Sequence, residues 1–359
     1  MKRSIAAGLA ALMLLGLTGC GFRTESADEA REVIQVIAMD TVMIFSTYGE
    51  NSTHADYLAE DEVRRLEDEL SRTEEGSVVY QLNHADGASV EVGGEVCALI
   101  RAAEAYRKAT SGAFDISIAP VVSAWGFTEE ENHVPPQAEL DALLEKMGDG
   151  MVRVEDGGAV TLAPGAAIDL GGIAKGYASD RIAMILRDNA IPRATISLGG
   201  NVLAWGSRPD GTPWRVGIQD PREPDNANAF AGLLQLTDAY AVTSGGYQRF
   251  FEADGRTYHH IIDPATGYPA DSGLTSVTVV AACDRDGADG TPGPGTMCDA
   301  LSTALFVMGE EKALTFWRSG AYDFDLVLVT ADGRVVVTDG LTDAFEESGE
   351  SGYRYEIVS

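Results

Sequence analysis

Residues 326–338 read LVLVTADGRVVVT. Two aliphatic, β-branched runs, 326–330 and 334–338, flank Ala331-Asp332-Gly333. A short loop carrying Asp-Gly between such runs is a hairpin signal, and a hairpin is antiparallel by construction. Upstream, short β-type runs recur at 151–155, 159–163, 194–198, 214–219, 240–243, 258–262 and 274–281, and 33–47 is also β-rich. Helical patterns stand alone among them: 57–72, 96–110 with Ser111-Gly112 as its stop, 137–147 led by Pro135-Pro136, about 172–189, about 299–308 and 311–319. Runs of strands separated by isolated helices predict an α+β fold with largely antiparallel pairing, not a doubly wound parallel sheet. There is no internal repeat.

The N-terminus reads as an address. Lys2 and Arg3 precede an apolar run, 5–17, which is short for a membrane-spanning helix. The run ends in Leu17-Thr18-Gly19-Cys20, which resembles the bacterial lipobox, where the cysteine is acylated and becomes the first mature residue. Residues 1–19 are therefore expected to be a lipoprotein signal peptide and 20–32 a tether. Residues 33–343 are expected as the folded domain, with an acidic C-terminal tail at 344–359 that is loose until 353–358. The expected location is the bacterial cell membrane, lipid-anchored through Cys20 and facing the extracytoplasmic side.

The formal net charge of the chain is −30. Removing residues 1–19 takes away Lys2 and Arg3 and no acid, which deepens it by two. Such a surface repels nucleic acid and anionic headgroups. An anionic substrate must then be held locally, by a metal, by helix N-termini or by a few placed cations. Besides Cys20 there are three cysteines. Cys97 sits in an apolar helical run and reads as a buried small hydrophobe. Cys283 and Cys298 flank a Gly/Pro/Asp-rich stretch, 284–296, which reads as a flexible insertion. An oxidising compartment would permit a bridge between them, but sequence does not fix the geometry.

Four segments carry chemistry. The first is IDLGGIAKGYASD, 168–180. An apolar approach reaches Asp169, then two glycines, then a helix with Lys175 one turn in. Glycines at a helix start let backbone approach a ligand, and the exposed N–H groups favour phosphate. The competing reading is a helix N-cap at Asp169 with glycines for packing. The second is Asp299-Ala300-Leu301-Ser302-Thr303. Asp299 and Thr303 share one helical face, and a carboxylate with a hydroxyl suits a hard cation such as Mg²⁺. The third is YHHIIDPATG, 258–267. His259 and His260 on a strand face opposite ways, so they do not share a metal; one can meet a ligand and the other solvent, or either can be structural. The fourth runs from Ser111-Gly112 through Ala113-Phe114-Asp115 to Trp125-Gly126-Phe127. An acid after an aromatic at such a corner can read an adenine edge, or merely cap a turn.

Taken in their order along the chain, the four segments closely resemble the ApbE family of FAD:protein FMN transferases. Further family-like stretches are Met39-Asp40-Thr41-Val42-Met43, Leu70-Ser71-Arg72, SLGGNV at 197–202, GIQDP at 217–221 and AVTSGGYQR at 241–249. The resemblance spans about residues 36–338. It implies a T-fold-like α+β core with a smaller accessory subdomain, and FAD in a cleft between them as substrate. It implies Mg²⁺ on the pyrophosphate, held by the carbonyl of Gly172, the carboxylate of Asp299 and the hydroxyl of Thr303. FAD contacts are implied at Met39, Ala113, Phe114, Asp115, Asp169, Lys175 and the segment His260-Ile261, with His260 in the place of the family's functional histidine. Two positions depart from the family: Asp40 stands where a glycine is usual, and Thr73 is not aromatic where some members place a tyrosine against the flavin.

The reaction expected from the resemblance is transfer of FMN from FAD to a Thr or Ser hydroxyl of an acceptor flavoprotein, with release of AMP. His260 is the expected general base or orienter, and Asp299 serves mainly the metal, sharing the proton task at most. Acceptors would be FMN-carrying subunits of membrane redox complexes or extracellular flavoproteins. Two alternatives stay open: an FAD pyrophosphatase that releases FMN and AMP, and a non-catalytic FAD-binding lipoprotein.

Overall fold

The computed structural model describes residues 31–127, 132–349 and 351–359. The expected signal peptide, Cys20 and the tether up to residue 30 lie outside them. The 326–338 hairpin forms as the sequence predicts, with Val329 opposite Val335 and Val327 opposite Val337. It belongs to a nine-stranded sheet in the order Arg31–Ala38, Thr41–Tyr48, Arg193–Leu198, Asn201–Trp205, Ala239–Gly245, Leu274–Ala282, Asp325–Thr330, Arg334–Thr338, Arg354–Val358. Every neighbouring pair is antiparallel except the last, which is parallel.

Both faces of this sheet are covered. The helices, in chain order, are α1 (Ser52–Leu70), α2 (Val78–Asn83), α3 (Gly93–Ala109), α4 (Ala119–Trp125), α5 (Gln137–Leu144), α6 (Ala174–Asp188), α7 (Pro294–Met308) and α8 (Glu310–Arg318). Leu326 and Leu328 join the core with α1, α3, α6 and α7. Val327 and Val329 join a second core, beneath a three-stranded sheet of Trp214–Gln219, Phe230–Leu236 and Phe345–Glu347. That double cover explains the unbroken apolar run LVLV: alternate side chains enter different cores, and neither face meets water.

Several expected boundaries move. α1 begins at Ser52 rather than 57, because its first turns bury Ser52, Ala55 and the acid Asp56. α7 begins at Pro294, so the last residues of the supposed flexible insertion belong to a helix. The tail, expected to be loose from 344 until 353–358, is already ordered at its start. Phe345–Glu347 pairs with Phe230–Leu236, and Arg354–Val358 closes the large sheet. Its aromatics are the reason: Tyr353 is buried and donates its hydroxyl to Asp220 Oδ1 at 2.7 Å. Cys283 and Cys298 are buried free thiols, as is Cys97, so no bridge spans 284–296.

A small accessory cluster gathers α4, α5 and the hairpin Phe250–Ala253/Arg256–His259. Trp125, fully buried, is its hub. It packs on Phe127, Phe251, Tyr258 and Tyr268 and donates Nε1–H to the carbonyl of Gly267 at 2.7 Å. The aromatic segment after residue 124 and the Asp-Pro-x-Thr-Gly turn are thereby fixed to each other.

Candidate active site

One end of the large sheet collects the turns that carry the motifs. Met39 and Asp40 form a two-residue hairpin turn between Ala38 and Thr41, both left-handed, with φ of +48° and +57°. Aspartate tolerates that conformation and glycine prefers it, so Asp40 is compatible with the turn. The Met39 N–H donates to Glu67 Oε1 at 2.6 Å. Arg249 reaches across this turn: its Nη2 donates to the carbonyl of Asp40 at 3.2 Å, and its Nη1 lies 3.7 Å from the Asp40 carboxylate.

The 168–172 segment is held from several directions. Asn83 grips the Ile168 backbone by accepting from its N–H at 2.7 Å and donating to its carbonyl at 2.9 Å. Asp169 N–H donates to the carbonyl of Ile116 at 2.8 Å, which ties this segment to the 113–118 corner. The Asp169 carboxylate accepts from Gly171 N–H at 2.7 Å and pairs with Arg72 Nε at 3.1 Å. It does not cap α6, whose cap position is Ile173 without a side-chain bond. The N-cap reading of Asp169 is therefore overturned; its carboxylate closes a tight turn one residue pair earlier. At Gly172 a Cβ would stand 3.2 Å from the Phe114 ring and 3.9 Å from Thr303 Oγ1. Absence of a side chain lets this backbone lie against both.

α6 and α7 meet more closely still. At Gly176 a Cβ would fall 2.3 Å from the carbonyl oxygen of Gly295. Gly176 N–H donates to Asp299 Oδ2 at 2.8 Å, and Asp299 is only 4% exposed. The other carboxylate oxygen, Oδ1, stands 4.0 Å from Lys175 Nζ, which also donates to the carbonyl of Gly171 at 3.3 Å. One turn along α7, Thr303 Oγ1 lies 3.2 Å from Ser244 Oγ, which is 2.8 Å from Ser302 Oγ. Gly172, Lys175, Asp299 and Thr303 are thus brought together with Ser244 beside them. Among the described residues no group of three or more His, Cys, Asp or Glu is placed to hold a metal. The oxygens here are a single carboxylate, hydroxyls and backbone carbonyls, a hard donor set.

The two histidines differ. His259 Nδ1 accepts from Ile261 N–H at 3.3 Å, and its Nε2–H donates to the carbonyl of Ala270 at 3.1 Å. Its ring meets Phe306 edge-on. Both nitrogens are committed, so His259 is structural and turned into the protein rather than to solvent. His260 Nδ1–H donates to the carbonyl of Arg249 at 3.2 Å, which leaves the lone pair on Nε2. Burial, and next the Arg249 guanidinium, push the His260 imidazole down to about 3, with Lys175 adding to the effect. Ile261 beside it is buried.

The 113–115 corner is placed against the same segment. Phe114 is buried on Gly172, and Ala113 packs on the core. The Asp115 carboxylate accepts from Ser117 N–H at 2.8 Å and Ser117 Oγ at 2.6 Å, which caps a short 3-10 turn. Burial raises this carboxyl above its ordinary range despite those bonds. Thr73 is exposed, its N–H turned to Ser71 Oγ at 3.2 Å. Arg72, Asn83, Ser244 and Arg249 were not singled out by sequence reasoning. Three of them fall inside the family-like stretches, and Asn83 gives no signal. A cleft of about 460 Å³ opens beside Arg72 and Asn83, lined also by Ser123, Lys146 and Ala166.

The ApbE family profile matches residues 39–327. The FAD:protein FMN transferase of Klebsiella pneumoniae (strain 342) is 34% identical over 279 residues, which is 77% of this chain and 82% of that protein. The FAD:protein FMN transferase of Treponema pallidum (strain Nichols) is 32% identical over 94% of each chain. The crystal structure of the ApbE protein from Thermotoga maritima superposes with a TM-score of 0.76 at 33% identity, covering 89% of this chain and 97% of that one. Sequence match, shared architecture and the ordered motifs agree: this chain belongs to the ApbE family.

Proposed function

We propose that this protein is an FAD:protein FMN transferase, acting on FAD and on the hydroxyl of a Thr or Ser in an acceptor flavoprotein. The observation that carries the reading is the meeting of Gly172, Lys175, Asp299 and Thr303 where α6 begins. The oxygens present fit Mg²⁺. Asp299 Oδ2 is committed to Gly176, so Oδ1 remains for a cation, and the Thr303 hydroxyl and Gly172 carbonyl would complete the protein's share. Bound there, Mg²⁺ would neutralise charge on the pyrophosphate, and its remaining positions suit water and phosphate oxygens.

The chain's own residues supply the rest. Lys175 and the α6 N-terminus put positive potential where an anion must sit in a chain of net charge −30. The attacking hydroxyl oxygen forms a bond to the FMN phosphorus, the phosphorus–oxygen bond to AMP breaks, and AMP leaves with that electron pair. His260 Nε2 takes the hydroxyl proton. Its lone pair is available because Nδ1–H is spent on Arg249. In the free protein burial, and next the Arg249 guanidinium, hold this imidazole neutral. An anionic substrate beside it would offset the cationic part of that effect and raise the proton affinity of Nε2.

Acceptors of the membrane-redox or extracellular flavoprotein kind, and lipid anchoring at Cys20 on the extracytoplasmic side, complete the proposal; the lipobox-like N-terminus supports the anchoring. The deciding test mixes protein, FAD and Mg²⁺ with an acceptor domain bearing a target threonine. Covalent flavin on the acceptor, read by mass with equimolar AMP, is expected. FMN and AMP without covalent flavin would make this a pyrophosphatase, and no AMP would leave only a binding protein.

A further inference from the structure

α7 starts with Gly293 at its cap position and Pro294 in its first turn, and its own sequence supplies no capping side chain. A helix start leaves its first N–H groups without partners. Here they are satisfied from another helix. The Asp180 carboxylate of α6 accepts from Gly293 N–H (2.9 Å), Gly295 N–H (2.9 Å) and Thr296 N–H (2.9 Å), and from Thr296 Oγ1–H at 2.5 Å. Pro294 has no N–H to satisfy. One carboxylate therefore closes the whole first turn of α7.

The arrangement is reciprocal. Asp299 of α7 accepts from Gly176 N–H in the first turn of α6 at 2.8 Å. Each helix thus uses a carboxylate to close the start of the other, and Gly176 against Gly295 leaves no slack between them. Asp180 is 5% exposed, and these side-chain bonds go to Gly293, Gly295 and Thr296, none of them assigned above to FAD or Mg²⁺. It lies one turn from Gly176 and bonds residues one turn before Asp299.

We propose that Asp180 is a positioning residue for the divalent-cation site. By clamping the first turn of α7 onto α6 it fixes which way Asp299 Oδ1 and Thr303 Oγ1 point. The inference rests on the cation reading above. Residues that orient metal ligands typically change metal affinity by tenfold or more when altered.

The test is a Mg²⁺ titration of FAD binding, followed by flavin fluorescence without acceptor, with thermal melts in EDTA run alongside. Asp180→Asn loses acceptor capacity on one of its two oxygens, and Thr296→Val removes a single hydroxyl donor while leaving the backbone bonds. The expected result is a Mg²⁺ midpoint raised about tenfold or more in Asp180→Asn, and several-fold in Thr296→Val. Val337→Ala, in the sheet away from the site, should lower the melting temperature and leave the midpoint alone. If Asp180→Asn does not fold, Thr296→Val decides. Wild-type midpoints in the folded variants, with lowered melting temperatures only, would overturn the positioning role. A wild-type protein whose FAD binding ignores Mg²⁺ would instead overturn the cation reading itself.

Discussion

The Nδ1 atom of His260 lies 3.2 Å from the carbonyl oxygen of Arg249, so the residue that orients this imidazole also lowers its proton affinity with its guanidinium. Unfolded, a histidine titrates near 6.5; here it is held at about 3. Between those values the unfolded chain binds the extra proton. The neutral ring therefore contributes stability that is complete above 6.5 and fades as pH falls toward 3. His260→Gln should flatten stability against pH in that window, measured by denaturant melts. The same variant should bind FAD normally and lose transfer by about 10²–10⁴-fold, the usual weight of a general base. Equal loss of FAD binding would remove the base assignment.

Asp299 holds the Gly176 N–H and, in the proposed function, a divalent cation; substitution can separate the two. Asp299→Ala leaves Gly176 N–H buried and unsatisfied, at about 1–3 kcal/mol, and should abolish Mg²⁺-dependent turnover. Asp299→Asn keeps an acceptor for Gly176 but loses the charge. It should melt close to wild type and still be inactive at ordinary Mg²⁺. Full activity of either variant, or of wild type in EDTA, would sink the metal-ligand role.

Gly176→Ala drives a Cβ to 2.3 Å of the Gly295 carbonyl, and the backbone there cannot swing aside. The expected cost is about 1–3 kcal/mol or more from overpacking, with activity falling as the helices separate. Gly94 in α3 is the control: nothing lies within 4 Å of its Cβ position. Gly94→Ala should be neutral or stabilise by up to about 1 kcal/mol. Melting curves of the pair decide whether close approach, and not helix propensity, explains Gly176.

Asp56 is 2% exposed, with Thr47 Oγ1 donating to Oδ2 at 2.8 Å and Oδ1 left without a partner. Burial raises it from 3.8 to about 6, and Glu32 adds to the rise. Here the folded protein binds the extra proton between those values. The charged carboxylate thus lowers stability as pH rises through about 4 to 6, and fully above 6. Asp56→Asn should raise the melting temperature by about 2–4 °C at pH 8 and give no gain at pH 4. An unchanged difference between the two pH values would show that the charge is irrelevant.

Much of this was legible in the chain. The LVLVT hairpin announced antiparallel pairing, and helical spacing placed Asp299 and Thr303 together. What sequence could not show depends on distant partners. Asp56 interrupted the amphipathic pattern at the start of α1, so that turn was missed. The strand at 201–205 is buried on both faces and carries no alternation. The ordered start of α7 looked like loop because its cap comes from Asp180, more than a hundred positions earlier. Arg72 beside Asp169 and Ser244 beside Thr303 are likewise meetings of separate segments.

The order of strands in the large sheet also sets a schedule for assembly. Thr41–Tyr48 is flanked by its hairpin partner on one side and by Arg193–Leu198 on the other, and residues 49–192 intervene. Until that later strand arrives, the hairpin has an open edge and nothing to complete it. Pairings between such remote segments are slow to form, and an unsatisfied strand edge is where nascent chains associate wrongly. Refolding yield should therefore depend on protein concentration, with the N-terminal hairpin as the sticky element.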